Sequence, residues 1–385
     1  MHFSWSVVFD INSEKIRGVN LGGWTVLEPW ITPSIFEGTP DNVVDEYTFC
    51  QTLGKDEAKR RLEEHWSSFI TEDDFRQISA AGLNLVRMSL GYWSISPLDG
   101  DPYVQGAYDY VGKALDWASN HNLKVMIDLH GAPDSQNGFD NSGKRGGIGW
   151  MQGDTMQQTL TALKKLRDDH ASHPALVAVE LINEPLGIDM GRLTDFYNQG
   201  WELFSGSHVA VTVSDAFQGP SVWNSWGNDK WAIMVDVHNY QVFTQGLLTL
   251  SLDQHVGAAC GAGQAMLASN KWTITGEFSG ALTDCAKWLN GRGVGARYDG
   301  TFNYNGASSS YVGNCAGKYQ GTVEGLGDAD KNNIKTFLSA QLSAYEKKNG
   351  WIFWTWKNEG APEWHFQNLT AAGLTPNPLS AASGC

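Results

Sequence analysis

Eight short apolar runs recur along the chain, each separated from the next by turns and by amphipathic stretches. They span 15–23 (KIRGVNLGG), 84–90 (NLVRMSL), 124–131 (KVMIDLHG), 177–185 (VAVELINEP), 209–215 (VAVTVSD), 231–240 (WAIMVDVHNY), 272–279 (WTITGEFS) and 350–357 (GWIFWTWK). Nearly unbroken apolar composition is what strands buried on both faces require, as in a parallel sheet. The intervening segments predict helices over 73–81, 108–120, 155–170, 192–204 and 328–348. In the second of these Val111, Leu115 and Ala118 fall at helical spacing. Strands alternating with helices predict a right-handed parallel βα array, and eight is the number that closes a TIM barrel. The fold class is therefore α/β, a (β/α)8 barrel with elaborated loops at the C-terminal face. No repeat, charge block or linker divides the chain, so residues 1–385 read as one barrel domain. A Gly/Asn/Ser-rich stretch over 291–327 is long enough to wall a site.

Charge and composition narrow the partners. Of 385 residues, 42 are acidic and 27 basic, a net charge of −15, which argues against nucleic acid and anionic membrane surfaces. No apolar run approaches the roughly 18 residues of a membrane-spanning helix. The 17 tryptophans suit either a large core or a site that stacks flat sugar rings. The five cysteines, Cys50, Cys260, Cys285, Cys315 and Cys385, have no zinc-type spacing, so no metal centre is expected. Two disulfides with one thiol left over would fit a secreted protein, and five reduced thiols are the alternative. The opening Met1–Trp5 lacks a basic region followed by an apolar one, so it does not read as a signal peptide; a secreted chain would be in its mature form. Asn368-Leu369-Thr370 is a glycosylation sequon, relevant only after secretion. No apolar stripe is left over once the barrel helices are assigned, so a monomer is expected.

In a barrel of this kind the chemistry gathers at the C-terminal ends of the strands. The runs end in Arg87 (second), His130 (third), Asn183 and Glu184 (fourth), His238 and Tyr240 (sixth), Glu277 (seventh) and Trp356 (eighth). A purely structural strand has no need of such tips. Either glutamate alone would be ordinary as a helix-cap partner or a surface ion pair. Together, on strands from opposite sides of the ring, they face each other across a substrate, as glycoside hydrolysis requires. Arg87 is placed to donate to Glu277, Asn183 to bind a sugar 2-hydroxyl, and Tyr240 to hydrogen-bond Glu277. His130 and His238 would bind hydroxyls or orient carboxylates, and Trp356 would form a floor for a sugar ring. On this reading Glu277 stays ionised near Arg87, while Glu184 carries a raised pKa. The two carboxyl groups would lie about 5–5.5 Å apart.

Several stretches together carry a family resemblance: RGVNLGGWTVLEP (17–29), DLHGAPDSQNGFDN (128–141), LINEPLG (181–187), HNYQVF (238–243), GEFSGALTDCAKWLNG (276–291) and WTWKNEGAPEWHF (354–366). In these the chain resembles the fungal exo-β-1,3-glucanases of glycoside hydrolase family 5, clan A, nearly end to end. The resemblance implies Glu184 as acid/base and Glu277 as nucleophile in a retaining reaction without cofactor. Glucose would be released from the non-reducing end of β-glucan, with β-1,6 activity and transglycosylation as accompanying expectations. It implies Arg87, His130, Asn183, His238, Tyr240 and Trp356 around the site, Glu28 on the non-reducing-end sugar, and Asp140 and Asn141 at the closed end. Phe139 and Phe243 match an aromatic clamp at the entrance. Disulfides Cys260–Cys385 and Cys285–Cys315 carry over, leaving Cys50 free. Trp30 stands where Tyr is common, Asn239 where a second His is common, and the loop 143–151 departs from the pattern. Another family 5 glycanase (endo-glucanase, mannanase or a broader β-glucosidase) and a non-catalytic wall-binding barrel are the competing readings.

Overall fold

The computed structural model describes residues 13–385; the Met1–Trp5 opening lies outside them. Eight parallel strands close a barrel: β1 (Ile16–Asn20), β2 (Leu85–Gly91), β3 (Lys124–Gly131), β4 (Leu176–Glu180), β5 (Ala210–Ser214), β6 (Ile233–His238), β7 (Trp272–Glu277) and, after a small antiparallel hairpin of β8 (Asn303–Tyr304) and β9 (Ala307–Ser308), β10 (Gly350–Phe353). Around the ring β10 sits between β7 and β1, so the ends of the chain's strand order meet and no barrel edge is left open.

The barrel interior is layered. Ile16, Leu85, Met126, Ala178, Ala210, Met234, Ile274 and Ile352, one residue from each strand, pack into an apolar plug near the strand starts. Two residues further along, on the same pleat face, the chain places Arg87, Asp128, Glu180, Thr212 and Asp236, all buried. The interior thus changes from oil to charge within one step along the strands, and the site lies beyond that step.

Predicted helices over 155–170, 192–204 and 328–348 correspond to Thr155–His170, Met190–Phe204 and Asp328–Tyr345. Two helices lack a sequence signature. Glu46–Ser68 is interrupted at Gly54, whose φ of 73° breaks the periodicity. Leu252–Leu267 is rich in Gly and Ala and packs through its lack of side chains: a Cβ on Gly263 would meet the Ala344 carbonyl oxygen at 2.4 Å. Disulfides join Cys260 to Cys385 and Cys285 to Cys315, and the Cys50 thiol is free and buried. Among the described residues no helix is long and apolar enough to cross a membrane.

The Gly263 contact is with backbone, which cannot rotate away. Gly263→Ala is expected to destabilise the fold by roughly 1–3 kcal/mol, the usual cost of overpacking. Thermal unfolding followed by circular dichroism checks this; an unchanged melting temperature would mean that the helices Leu252–Leu267 and Asp328–Tyr345 separate freely.

Candidate active site

The eighth run is shorter than its apolar composition suggests. β10 ends at Phe353, and the chain has left the sheet before Trp356. Trp356 therefore does not form the sugar floor expected of it: it is fully buried, and its indole N–H donates to Asp74 Oδ1 at 3.0 Å. Trp354 lines the cavity in its place and lies parallel to the His130 ring at 5.4 Å. The fourth run is corrected in the same way. β4 stops at Glu180, and Glu184 stands four residues beyond it with a φ of 46°. A left-handed backbone at a residue with a Cβ costs about 1–2 kcal/mol, so something must hold it. Gln136 does so: its amide donates to the carbonyls of His130 and Asn183, and its side-chain oxygen accepts from Ala132 N–H.

Glu184 and Glu277 open into a cavity of about 610 Å³ at the C-terminal end of the barrel. One carboxylate oxygen of each and a ring nitrogen of His238 all lie within 4.8 Å of one another. Arg87 Nη1 donates to Glu277 Oε1 at 2.9 Å, and the Tyr240 hydroxyl donates to Oε2 at 2.8 Å. Asn141 donates to Glu184 Oε2 at 3.3 Å, and His238 Nδ1 sits 2.8 Å from Oε1. Glu28 and Asp140 share the cavity; Glu28 accepts from the Trp30 indole N–H at 2.9 Å. Phe139 and Phe243 stand exposed among the lining residues, with Phe217 as a third exposed ring that the sequence did not single out. Arg87, His130 and Asn183 are fully buried behind this wall. Asn183 accepts from Arg87, leaving its amide nitrogen without a partner among the described residues. The Gly/Asn/Ser-rich stretch contributes Arg297, Phe302, Tyr304 and Asn305 to the lining.

Electrostatics reverse one expectation. Burial pushes the Glu277 carboxyl above its usual value, more than the nearby His238 and Arg87 charges pull it down. Glu184 is also fully buried, which would raise it. The His238 hydrogen bond and charge overcome that and hold it below the ordinary carboxylate value. His238 itself, though desolvated, is held well above its usual value by Glu277, Asp236 and Glu184. Both directions favour a charged imidazolium beside an ionised Glu184. Two triads, Glu184–His238–Glu277 and Glu180–Asp236–His238, have the spacing of a metal site. Both depend on His238.

Burial also pushes the Asp140 carboxyl up to about 7, with Asp45 adding to it and Arg145 opposing. Between the ordinary aspartate value of about 4 and that raised value the folded chain holds a proton that the unfolded chain has released. Stability therefore falls as pH rises through this window and levels off above it. Asp140→Asn removes the titration, so the drop in melting temperature between mildly acidic and neutral buffer is expected to shrink; an identical drop in the variant would remove Asp140 as its source.

The profile described as Cellulase (glycosyl hydrolase family 5) matches residues 50–360. The chain is 51% identical to a glucan 1,3-beta-glucosidase of Blumeria graminis over 97% of its own length and 90% of that protein's. It is 48% identical to a probable glucan 1,3-beta-glucosidase A of Emericella nidulans (96% and 91%) and 47% identical to glucan 1,3-beta-glucosidase 2 of Wickerhamomyces anomalus (97% and 90%). The solved structure of a rutinosidase from Aspergillus niger superposes with a TM-score of 0.72 at 16% identity, covering 95% of this chain and 99% of that one, a likeness of fold. The chain is a glycoside hydrolase and belongs to glycosyl hydrolase family 5.

Proposed function

We propose that the protein is a retaining exo-β-1,3-glucanase that removes glucose from the non-reducing end of β-1,3-glucan, with Glu277 as nucleophile and Glu184 as acid/base. The observation that carries this is the pair of facing glutamates with carboxylate oxygens within 4.8 Å of each other. That spacing suits direct attack on the anomeric carbon, whereas an inverting pair stands about 6.5–9.5 Å apart to admit a water. The names of relatives about half identical supply the substrate class.

Each carboxylate draws its role from its neighbours. Arg87 and Tyr240 both donate to Glu277, fixing its two oxygens and favouring the charge that attacks C1. Glu184 is the carboxylate in contact with a proton store. A proton crossing the 2.8 Å gap from His238 Nδ1 makes it the acid that protonates the departing oxygen. Once Glu277 is esterified by the sugar its charge is gone, and Glu184 ionises more readily. It then takes a proton from the incoming water, and microscopic reversal frees the sugar with its β configuration kept. Glu28 and Asp140 offer carboxyl oxygens to hydroxyls at the inner end. Phe139, Phe217 and Phe243 offer apolar faces to the rings at the mouth.

The two disulfides support a working place outside the cell, and residues 1–385 are read as one monomeric catalytic unit. Glu277→Gln is expected to lower hydrolysis by about three orders of magnitude or more while glucan binding persists; unchanged turnover would remove Glu277 from the nucleophile's role. With the unaltered protein on laminarin, NMR of the first products is expected to show β-glucose alone. A ladder of oligosaccharides from the start would mean an endo-acting cleft, and initial α-glucose would mean inversion.

A further inference from the structure

A second cavity, of about 530 Å³, lies at the opposite end of the barrel from the glutamates. Its lining marks the place: Ile233 opens β6, Trp272 opens β7, Asn349 precedes β10 and Lys15 precedes β1. Five lysines converge there, Lys15, Lys230, Lys271, Lys347 and Lys348. The chain carries 42 acidic and 27 basic residues, and several of its lysines sit close against a carboxylate. Lys144, Lys164, Lys165, Lys287, Lys318 and Lys357 each have one within 3.0 Å. In the cavity, among the described residues, no ammonium group has a carboxylate that close. Among the described residues only Lys230 has a carboxylate within 4.0 Å, that of Asp229 at 3.6 Å.

Three of the other four ammonium groups are partnered by neutral oxygens. Lys271 Nζ, on a buried side chain, donates to Asn228 Oδ1 at 2.5 Å and to Asn270 Oδ1 at 3.0 Å. Lys348 Nζ donates to the Ser269 carbonyl at 2.8 Å, and Lys15 Nζ to the Lys348 carbonyl. Burial lowers the pKa of Lys271, and burial with the nearby Lys15 charge lowers that of Lys348. Lys271 and Lys348 have lost part of their hydration and, among the described residues, gained no carboxylate partner, a cost that an anion beside them would relieve.

We propose that this lysine-lined cavity binds a compact multivalent oxyanion of the phosphate class, free or as a phosphate ester on a polymer. Several convergent ammonium groups suit a phosphate, which spreads charge over three or more acceptor oxygens and takes lysine as a point charge. The cavity sits beyond the apolar plug, so its occupant and a glucan in the main site do not meet. An esterified polymer held here would tether the enzyme by its base and leave the mouth of the barrel free.

Isothermal titration calorimetry with inorganic pyrophosphate at low ionic strength tests the proposal, since the attraction is screened by salt. Saturable binding at one site is expected, weakened at least about tenfold in Lys271→Gln/Lys348→Gln, as loss of two charge-assisted contacts implies. Lys347→Gln, at an exposed side chain, is expected to weaken it measurably without touching the fold. Hydrolysis of an aryl β-glucoside should stay unchanged in all variants. A phosphorylated dextran, with unmodified dextran as its control, separates the sources: binding of pyrophosphate alone assigns a small free anion, and binding of both assigns an ester on a polymer. The proposal is overturned if chloride at matched ionic strength gives the same heat, or if the lysine variants bind pyrophosphate as the unaltered protein does.

Discussion

One guanidinium organises the upper half of the barrel. Arg87 is wholly buried, and Asp128, Glu180, Asp236 and Glu277 all lie within 3.8 Å of it, while Asn20 and Asn183 accept from it as well. Five of the eight strands thus send a polar side chain from their residues to one cation, and the loop after β4 adds a sixth contact. Each buried carboxylate is tolerable because Arg87 is there, and Arg87 is tolerable because they are. Removing it would leave several like charges in a low-dielectric interior. The aim of Glu277 is therefore tied to the integrity of the barrel. The group that the reaction needs ionised is one member of a network that the fold needs for its own sake.

The fold was legible because its strands obey a simple rule. Strands covered on both faces must be apolar on both faces, and eight such runs separated by helical stretches leave few architectures. What the runs could not show is where pairing stops. The apolar stretches 177–185 and 350–357 continue past β4 and β10 because the residues after the strand are also buried, in loop rather than sheet. One consequence was that Trp356 and Trp354 exchanged roles. In a strand they would share a face. Once the chain leaves the sheet at Phe353, alternation no longer decides which indole meets the cavity.

The site was legible in its polar tips and less so in its interior charges. Asp128, Glu180 and Asp236 each interrupt an otherwise apolar run, in KVMIDLHG, VAVELINEP and WAIMVDVHNY. An acid inside such a run must find a cation, and Arg87 stands in another run of the same kind. The order of the glutamate pKa values was beyond the sequence, because it turns on His238 lying closer to Glu184 than to Glu277, at 2.8 Å against 3.5 Å. No spacing along the chain encodes a difference of that size between residues so far apart. Helices built on small residues, such as Leu252–Leu267, escape for a different reason: their signature is closeness of backbones, which leaves no apolar stripe to read.

The Cys285–Cys315 bridge encloses the part of the long segment after β7 that carries the β8–β9 hairpin to the rim of the cavity. A protease that cut the exposed backbone between those cysteines would sever the chain without releasing either part. Arg297 and Tyr304 would remain fastened beside the site by the sulfur link, so the wall would tolerate nicking. This exposed segment is thus one whose cleavage need not end the enzyme's working life.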